Sequence, residues 1–403
     1  MDELKRPVNE SNQLPLFEME PDWKDVWWNM PEYDNDVIKP SSKIVVNFLT
    51  DQDREDFSKK IGIKLGPTSD SIWYPAQPKL KPGLYYYDGN IKGYENKYPI
   101  CIPSKGRWDV QTTGKLLDRM GVNYLFFVED IEYDLYCDHL GRDKVIKLPF
   151  NNLGQGSIPA RNYIWEWAKN NGYSRHWVLD DNIRSFGRVH MTRRLKVRGG
   201  GYFRAMEDFV DRYENIVMAG PHEGGFVPIG WVDFPPYLLN TRVYSCILLD
   251  TSLPHRWRGR YNEDTDLSLR LLKDGYCTLV FRALIMNKSA TVGSKNSKPM
   301  KGGNTDNVYN TGDHRKAFAE SLKEQHPDCV EVVWKFNRWH HSVNYSKFIQ
   351  QPKLKPGITP IKKLNNYGMK LVRSSKYDPD LIFDDCDDKE NVNLDDTNGH
   401  YAL

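Results

Sequence analysis

From Tyr98 onward, short apolar runs alternate with stretches whose apolar residues recur at helical spacing. That alternation predicts an α/β layer in which strands and helices follow one another around a mixed, mainly parallel sheet. Strands are expected over 99–103, 123–128, 144–149, 176–179 and 278–281. Leu116, Leu117 and Met120 mark a helix that stops before Gly121. Ser157 reads as a cap with Pro159 just inside the next helix, and Ala160, Tyr163, Ile164, Trp167 and Ala168 keep the spacing until Gly172. Phe203, Met206, Val210 and Tyr213 mark another helix. A further one opens after Asn262, carries Leu267, Leu271 and Leu272, and ends at Gly275.

Outside this block the pattern changes. Residues 1–17 are polar and read as a flexible N-terminus. Residues 18–76 read as a small α+β module: Trp23, Trp27 and Trp28, a strand Lys43–Phe48, a helix with Phe57 and Ile61 behind an acidic first turn, and an edge strand at 71–75. Residues 77–97, with Pro78 and Pro82, read as a linker to a main domain over 98–350. The remainder, 351–403, reads as a tail, with seven Lys/Arg and no acid over 351–377 and many acids after it.

Composition narrows the class. With 39 % hydrophobic residues in 403, the chain can build a sizeable core. Its 56 basic and 54 acidic residues leave +2, so any nucleic-acid contact must come from local clustering. No apolar run reaches the roughly 18 residues of a membrane span, and Met1–Arg6 does not open a secretory signal. Six widely spaced cysteines form neither a zinc nor a disulfide pattern, which suits a reducing cytoplasm.

The chemistry concentrates in Asp180-Asp181-Asn182, directly after an apolar strand. Ligands of open α/β sheets bind outside the carboxyl ends of strands, and oxygen donors there suit Mg²⁺ or Mn²⁺ and, through it, a diphosphate. The plain alternative is an Asx turn. Arg161 and Asn162 lie in the first turn of the preceding helix, where anions are favoured. Glu263, Asp264 and Asp266 open a later helix, and a carboxylate there can accept the proton of an attacking hydroxyl. Acids in a first turn also simply complement the helix dipole. Between these sites, 183–206 holds no acid and carries Arg184, Arg188, Arg193, Arg194, Lys196 and Arg198. It reads either as a basic loop gripping polynucleotide phosphates or as a solvated face.

The order Ala160-Arg161-Asn162, helix, apolar strand, Asp180-Asp181-Asn182 resembles the nucleotide-sugar half of GT-A (Rossmann-like) glycosyltransferases. With Ile102-Pro103-Ser104-Lys105-Gly106-Arg107, Tyr261–Asp266 and Gly302-Gly303-Asn304, the stretch from about Tyr98 to Tyr345 resembles the TET-associated glycosyltransferases of phages and their relatives. The resemblance implies transfer of sugar from a nucleotide donor, expected to be a UDP-sugar, to a hydroxymethylated pyrimidine such as 5-hydroxymethylcytosine in DNA. It implies donor binding by Pro103, Ser104, Lys105, Arg107, Arg161, Asp180 and Asp181. It also implies a divalent metal on Asp181 and Asn182, with His314 as a late ligand, and an acceptor base among Glu263, Asp264 and Asp266. Asn182 departs from the usual acid. Two alternatives remain: a protein or glycan acceptor, and an inactive DNA-binding scaffold.

Overall fold

The structure is a computed structural model; it describes residues 22–33, 42–66, 69, 72, 74, 83–190, 193–227, 234–259, 261–289, 314–335 and 337–383. The helices of eight or more residues, after the short α1 (Trp23–Val26), are α2 (Asp51–Ile61), α3 (Thr112–Met120), α4 (Tyr133–Leu140), α5 (Ile158–Asn170), α6 (Tyr202–Val210), α7 (Glu263–Lys273) and α8 (Arg315–Gln325). Strands are β1 (Tyr85–Asp88), β2 (Ile100–Pro103), β3 (Leu125–Glu129), β4 (Val145–Leu148), β5 (Arg175–Leu179), β6 (Ile183–His190) and β7 (Arg193–Val197). They continue as β8 (Ile216–Glu223), β9 (Tyr237–Leu239), β10 (Cys246–Asp250), β11 (Cys277–Lys288), β12 (Val330–Lys335), β13 (Arg338–Val343) and β14 (Lys370–Arg373).

One sheet runs β14-β1-β7-β6-β11-β8-β10-β5-β2-β3-β4, with β9 on β11; β12 and β13 form a separate hairpin. Pairing is parallel through β5-β2-β3-β4 and between β8 and β11. Strand β10 is antiparallel to both its neighbours. The central strands β5 and β10 are buried along nearly their whole length, with Asp250 at the end of β10 half-buried. Successive side chains point to opposite faces. Cys246 and Leu248 join the core with Leu117, Phe203 and Phe209, whereas Ile247 and Leu249 meet Trp165, Trp257, Leu267 and Leu271. The sheet is therefore covered on both sides, by α3 and α6 on one and by α5 and α7 on the other.

Several expectations need correction. The basic run is not a loop: most of it forms the antiparallel pair β6–β7. The stretch expected as linker supplies β1, and the stretch expected as tail supplies β14, which pair antiparallel at the sheet edge. Tyr367 and Met369 beside β14 are buried. Residues 43–48 form no strand, and Ile44 and Val45 are exposed. The expected edge strand at 71–75 lies mostly outside the described residues, as do 1–17 and the acidic end of the chain. Trp27 and Met30 pack into the main core, with Trp27 against Phe209 and Phe281. Among the described residues, no helix is long and apolar enough to cross a membrane.

Candidate active site

The carboxyl ends of β2, β3, β5 and β11 and the first turns of α5 and α7 meet at one edge of the sheet. A cleft of about 410 Å³ opens there, within the range of small-molecule sites. Pro103 ends β2, with Ser104, Lys105 and Arg107 after it; Asp180, Asp181 and Asn182 follow β5; all seven line the cleft. Arg161 on α5 and Asn262, Glu263 and Asp264 on α7 line it as well. Asp181 and Glu263, far apart in sequence, thus share one cavity.

Local chemistry explains the arrangement. Gly106 takes φ 67°, a left-handed conformation that favours glycine, and the chain turns so that Arg107 meets the Asp181 carboxylate. Ser104 Oγ donates to Asp181 Oδ2 at 2.5 Å and contacts Tyr136 Oη at 2.7 Å. The Arg107 backbone N–H donates to the same Tyr136 oxygen at 3.2 Å. Lys105 Nζ is held by Glu129 at 2.8 Å and by Asn152 at 2.6 Å. Arg161 Nη2 donates to Asp180 Oδ1 at 3.0 Å, and its guanidinium lies 4.8 Å from the Trp257 ring centroid. Lys288 Nζ lies 3.5 Å from Asp180 Oδ2 and donates to Ser245 Oγ at 2.6 Å. The Ser157 hydroxyl does not cap α5; it reaches Glu263 Oε1 at 3.4 Å.

The carboxyls are electrostatically distinct. Burial works to raise Asp180, but Lys288 and Arg161 hold it below the usual carboxylate range. Burial raises Asp181 despite Arg107 and Ser104. Burial also raises Glu263, opposed by Arg161 and reinforced by Asp264 and Asp180. Charge separation between carboxyls in one cavity allows different roles at one pH.

The described residues do not present a ready site for a hard divalent cation. All four oxygens of Asp180 and Asp181 face protein donors: Arg161, Lys288, Arg107 and Ser104. Asn182 donates its amide to the Ser289 carbonyl at 2.9 Å. His314 stands at the N-cap of α8, with its ring centroid 6.0 Å from that of Phe318, and does not line the cleft. Among the described residues, no group of three or more His, Cys, Asp or Glu could hold a metal ion.

Two further expectations shift. Asp266 is fully buried one turn inside α7, where Arg258, Arg270 and His326 take its carboxylate, so it does not line the cleft. Of the basic run, Arg184, Arg188, Arg193, Arg194, Lys196 and Arg198 all lie away from the cleft lining. Arg188 is 1 % exposed, stacks 4.0 Å from the Tyr87 centroid and donates to the Glu32 carbonyl, which removes it as a phosphate contact. Arg194 donates to Val227 O, Lys196 to Asp380 O, and Arg198 pairs with Asp378. Sequence reasoning passed over Lys288, Ser245 and Tyr136. Following the apolar run of β11 beyond Arg282 would have put Lys288 at the same edge.

Residues 98–297 match the sequence model of a family described as TET-Associated Glycosyltransferase. No curated protein matches the chain.

Proposed function

Through residues 98–297 the chain belongs to the TET-associated glycosyltransferases, sugar-transferring enzymes of DNA hypermodification, and on that premise we propose that the cleft binds a nucleotide sugar and glycosylates a hydroxymethylated pyrimidine in DNA. The observation that supports this most is that Asp180, Asp181 and Glu263 line one cavity with Arg107, Arg161 and Lys288 among them. The 103–107 loop, Arg161 and Asp180 hold the nucleotide, expected to be UDP, with Arg161 and Lys288 beside the diphosphate. The acceptor hydroxyl oxygen bonds to the anomeric carbon as the bond from that carbon to the diphosphate breaks. The electron pair leaves with the diphosphate, and the hydroxyl proton passes to Glu263. Glu263 suits this role because burial raises its affinity for a proton. Asp264 Oδ1 is already engaged by the Thr265 N–H at 2.7 Å.

The test is direct. Protein is incubated with nucleotide sugars and 5-hydroxymethylcytosine DNA, with and without Mn²⁺, and the DNA is digested to nucleosides and weighed. A sugar mass increment on the modified nucleoside is expected. Its absence with every common donor, while the protein still binds nucleoside diphosphate, would overturn the acceptor assignment.

A further inference from the structure

Hairpin β12–β13 carries a surface that the cleft chemistry leaves unused. Its strands pair Trp334 with Trp339 and Lys335 with Arg338. The two indoles meet edge to face with centroids 5.1 Å apart, yet Trp334 remains 56 % exposed. A large aromatic left in water beside cations is unusual for a surface with no partner. Lys316, in the first turn of α8, sits 5.3 Å from the Trp339 centroid. From 332 to 344 the chain has no acidic residue. The hairpin's acid, Glu331, lies at its base opposite Ser342. Glu320 pairs with Lys316 at 3.5 Å, an exposed contact of the kind that contributes little.

The hairpin is fixed to the acceptor side of the cleft. Val330 packs with Leu269 of α7 and Leu322 of α8. Asn262, which lines the cleft, donates to the Phe318 carbonyl of α8 at 2.9 Å, and Tyr261 stacks on the Phe318 ring at 3.7 Å. The helix bearing Glu263 and the hairpin bearing Trp334 are thus parts of one packed unit.

We infer that Trp334 and Trp339, with Lys316, Lys335 and Arg338, form a stacking and phosphate-binding platform for the DNA strand that delivers the acceptor base. The inference rests on the proposed DNA acceptor and moves the contact away from β6–β7. Exposed aromatics among cations fit unpaired nucleic acid because every base offers a π face and every nucleotide a phosphate. A protein or glycan acceptor has no such repeating charge for the cations to meet.

The test measures fluorescence anisotropy of a labelled unmodified single strand bound to the full chain, beside calorimetric binding of UDP. Trp334→Ala is expected to weaken DNA binding about tenfold, Trp334→Tyr to restore most of it. Lys335→Ala with Arg338→Ala is expected to lower the salt dependence by roughly one to two phosphate contacts. UDP binding and the melting temperature should stay as in the parent protein. Unchanged DNA affinity in Trp334→Ala, with DNA bound by the parent, would overturn the platform and leave the DNA acceptor standing. A parent that binds UDP but no DNA at low salt overturns both. A loss of UDP binding together with DNA binding assigns the hairpin a structural role and overturns the inference.

Discussion

Asp266 offers the sharpest separation of structure from chemistry at this site. It lies three residues after Glu263, and acids this close at a helix start are easily read as one catalytic group. In the structure its carboxylate meets Arg258 at 2.9 Å, Arg270 at 2.9 Å and His326 at 2.9 Å. Burial opposes its ionisation, but His326, Arg258 and Arg270 prevail and hold it at about 2, from an ordinary 3.8. At roughly 1.4 kcal/mol per pH unit this is about 2 kcal/mol of stability from the ionised group. Because the folded value lies below the unfolded one, that contribution is complete above about pH 4 and disappears as pH falls toward 2. Asp266→Asn also leaves Arg270, largely buried, without its counter-charge, so the whole cost is about 3 kcal/mol. A fall of roughly 5 °C in melting temperature at pH 7 is expected, by calorimetry or circular dichroism, and a smaller gap from the parent at pH 3. Donor affinity of the folded variant should change little. An unchanged melting temperature with turnover abolished would refute this account and return Asp266 to the chemistry.

Glu263→Gln should reduce transfer by 100-fold or more, the usual size of a general-base contribution, with UDP affinity nearly unchanged. In the parent, the acid limb of kcat/KM should lie above the ordinary glutamate range, because burial raises Glu263 and the base must be ionised to work; a limb at or below that range speaks against it. Tyr136→Phe removes the oxygen that contacts Ser104 and accepts from the Arg107 N–H, so it should cost about 1–3 kcal/mol of stability and weaken UDP binding, both readable by calorimetry. Because protein donors already engage all four oxygens of Asp180 and Asp181, chelator should alter UDP affinity by less than about threefold. A requirement for Mn²⁺ in that titration would show that a cation displaces at least one of these donors and would refute this expectation.

Legibility followed physical cause. Helices α3, α5, α6 and α7 are visible because their apolar residues recur at helical spacing and each ends at or near a glycine or turn. Strands β2, β3, β4 and β5 were visible because they are short apolar runs bounded by polar turns. Strand β10 is absent from the sequence expectations, although Cys246-Ile247-Leu248-Leu249 is an unbroken apolar run. Its antiparallel place between β5 and β8 follows from tertiary packing. Strands β6 and β7 were hidden by their arginines, whose aliphatic stems can lie along a sheet while their heads find carbonyls and aromatic faces. Charge density alone cannot distinguish that use from a solvent-facing patch.

The site shows the same division. Asp180, Asp181, Arg161 and Glu263 could be placed together because strand ends and helix starts at one sheet edge share a location dictated by topology. Their partners could not, since Lys288, Ser245 and Tyr136 arrive from strands and helices whose order in the sheet no local pattern reveals. Those partners set the charge balance of the carboxyls. Lys288 and Arg161 hold Asp180 ionised, while burial beside Asp180 and Asp264 raises Glu263. Two acids of similar sequence context are thereby driven apart in proton affinity. In the proposed reaction, that separation lets one carboxylate remain a fixed charge beside the nucleotide while the other takes up a proton during transfer.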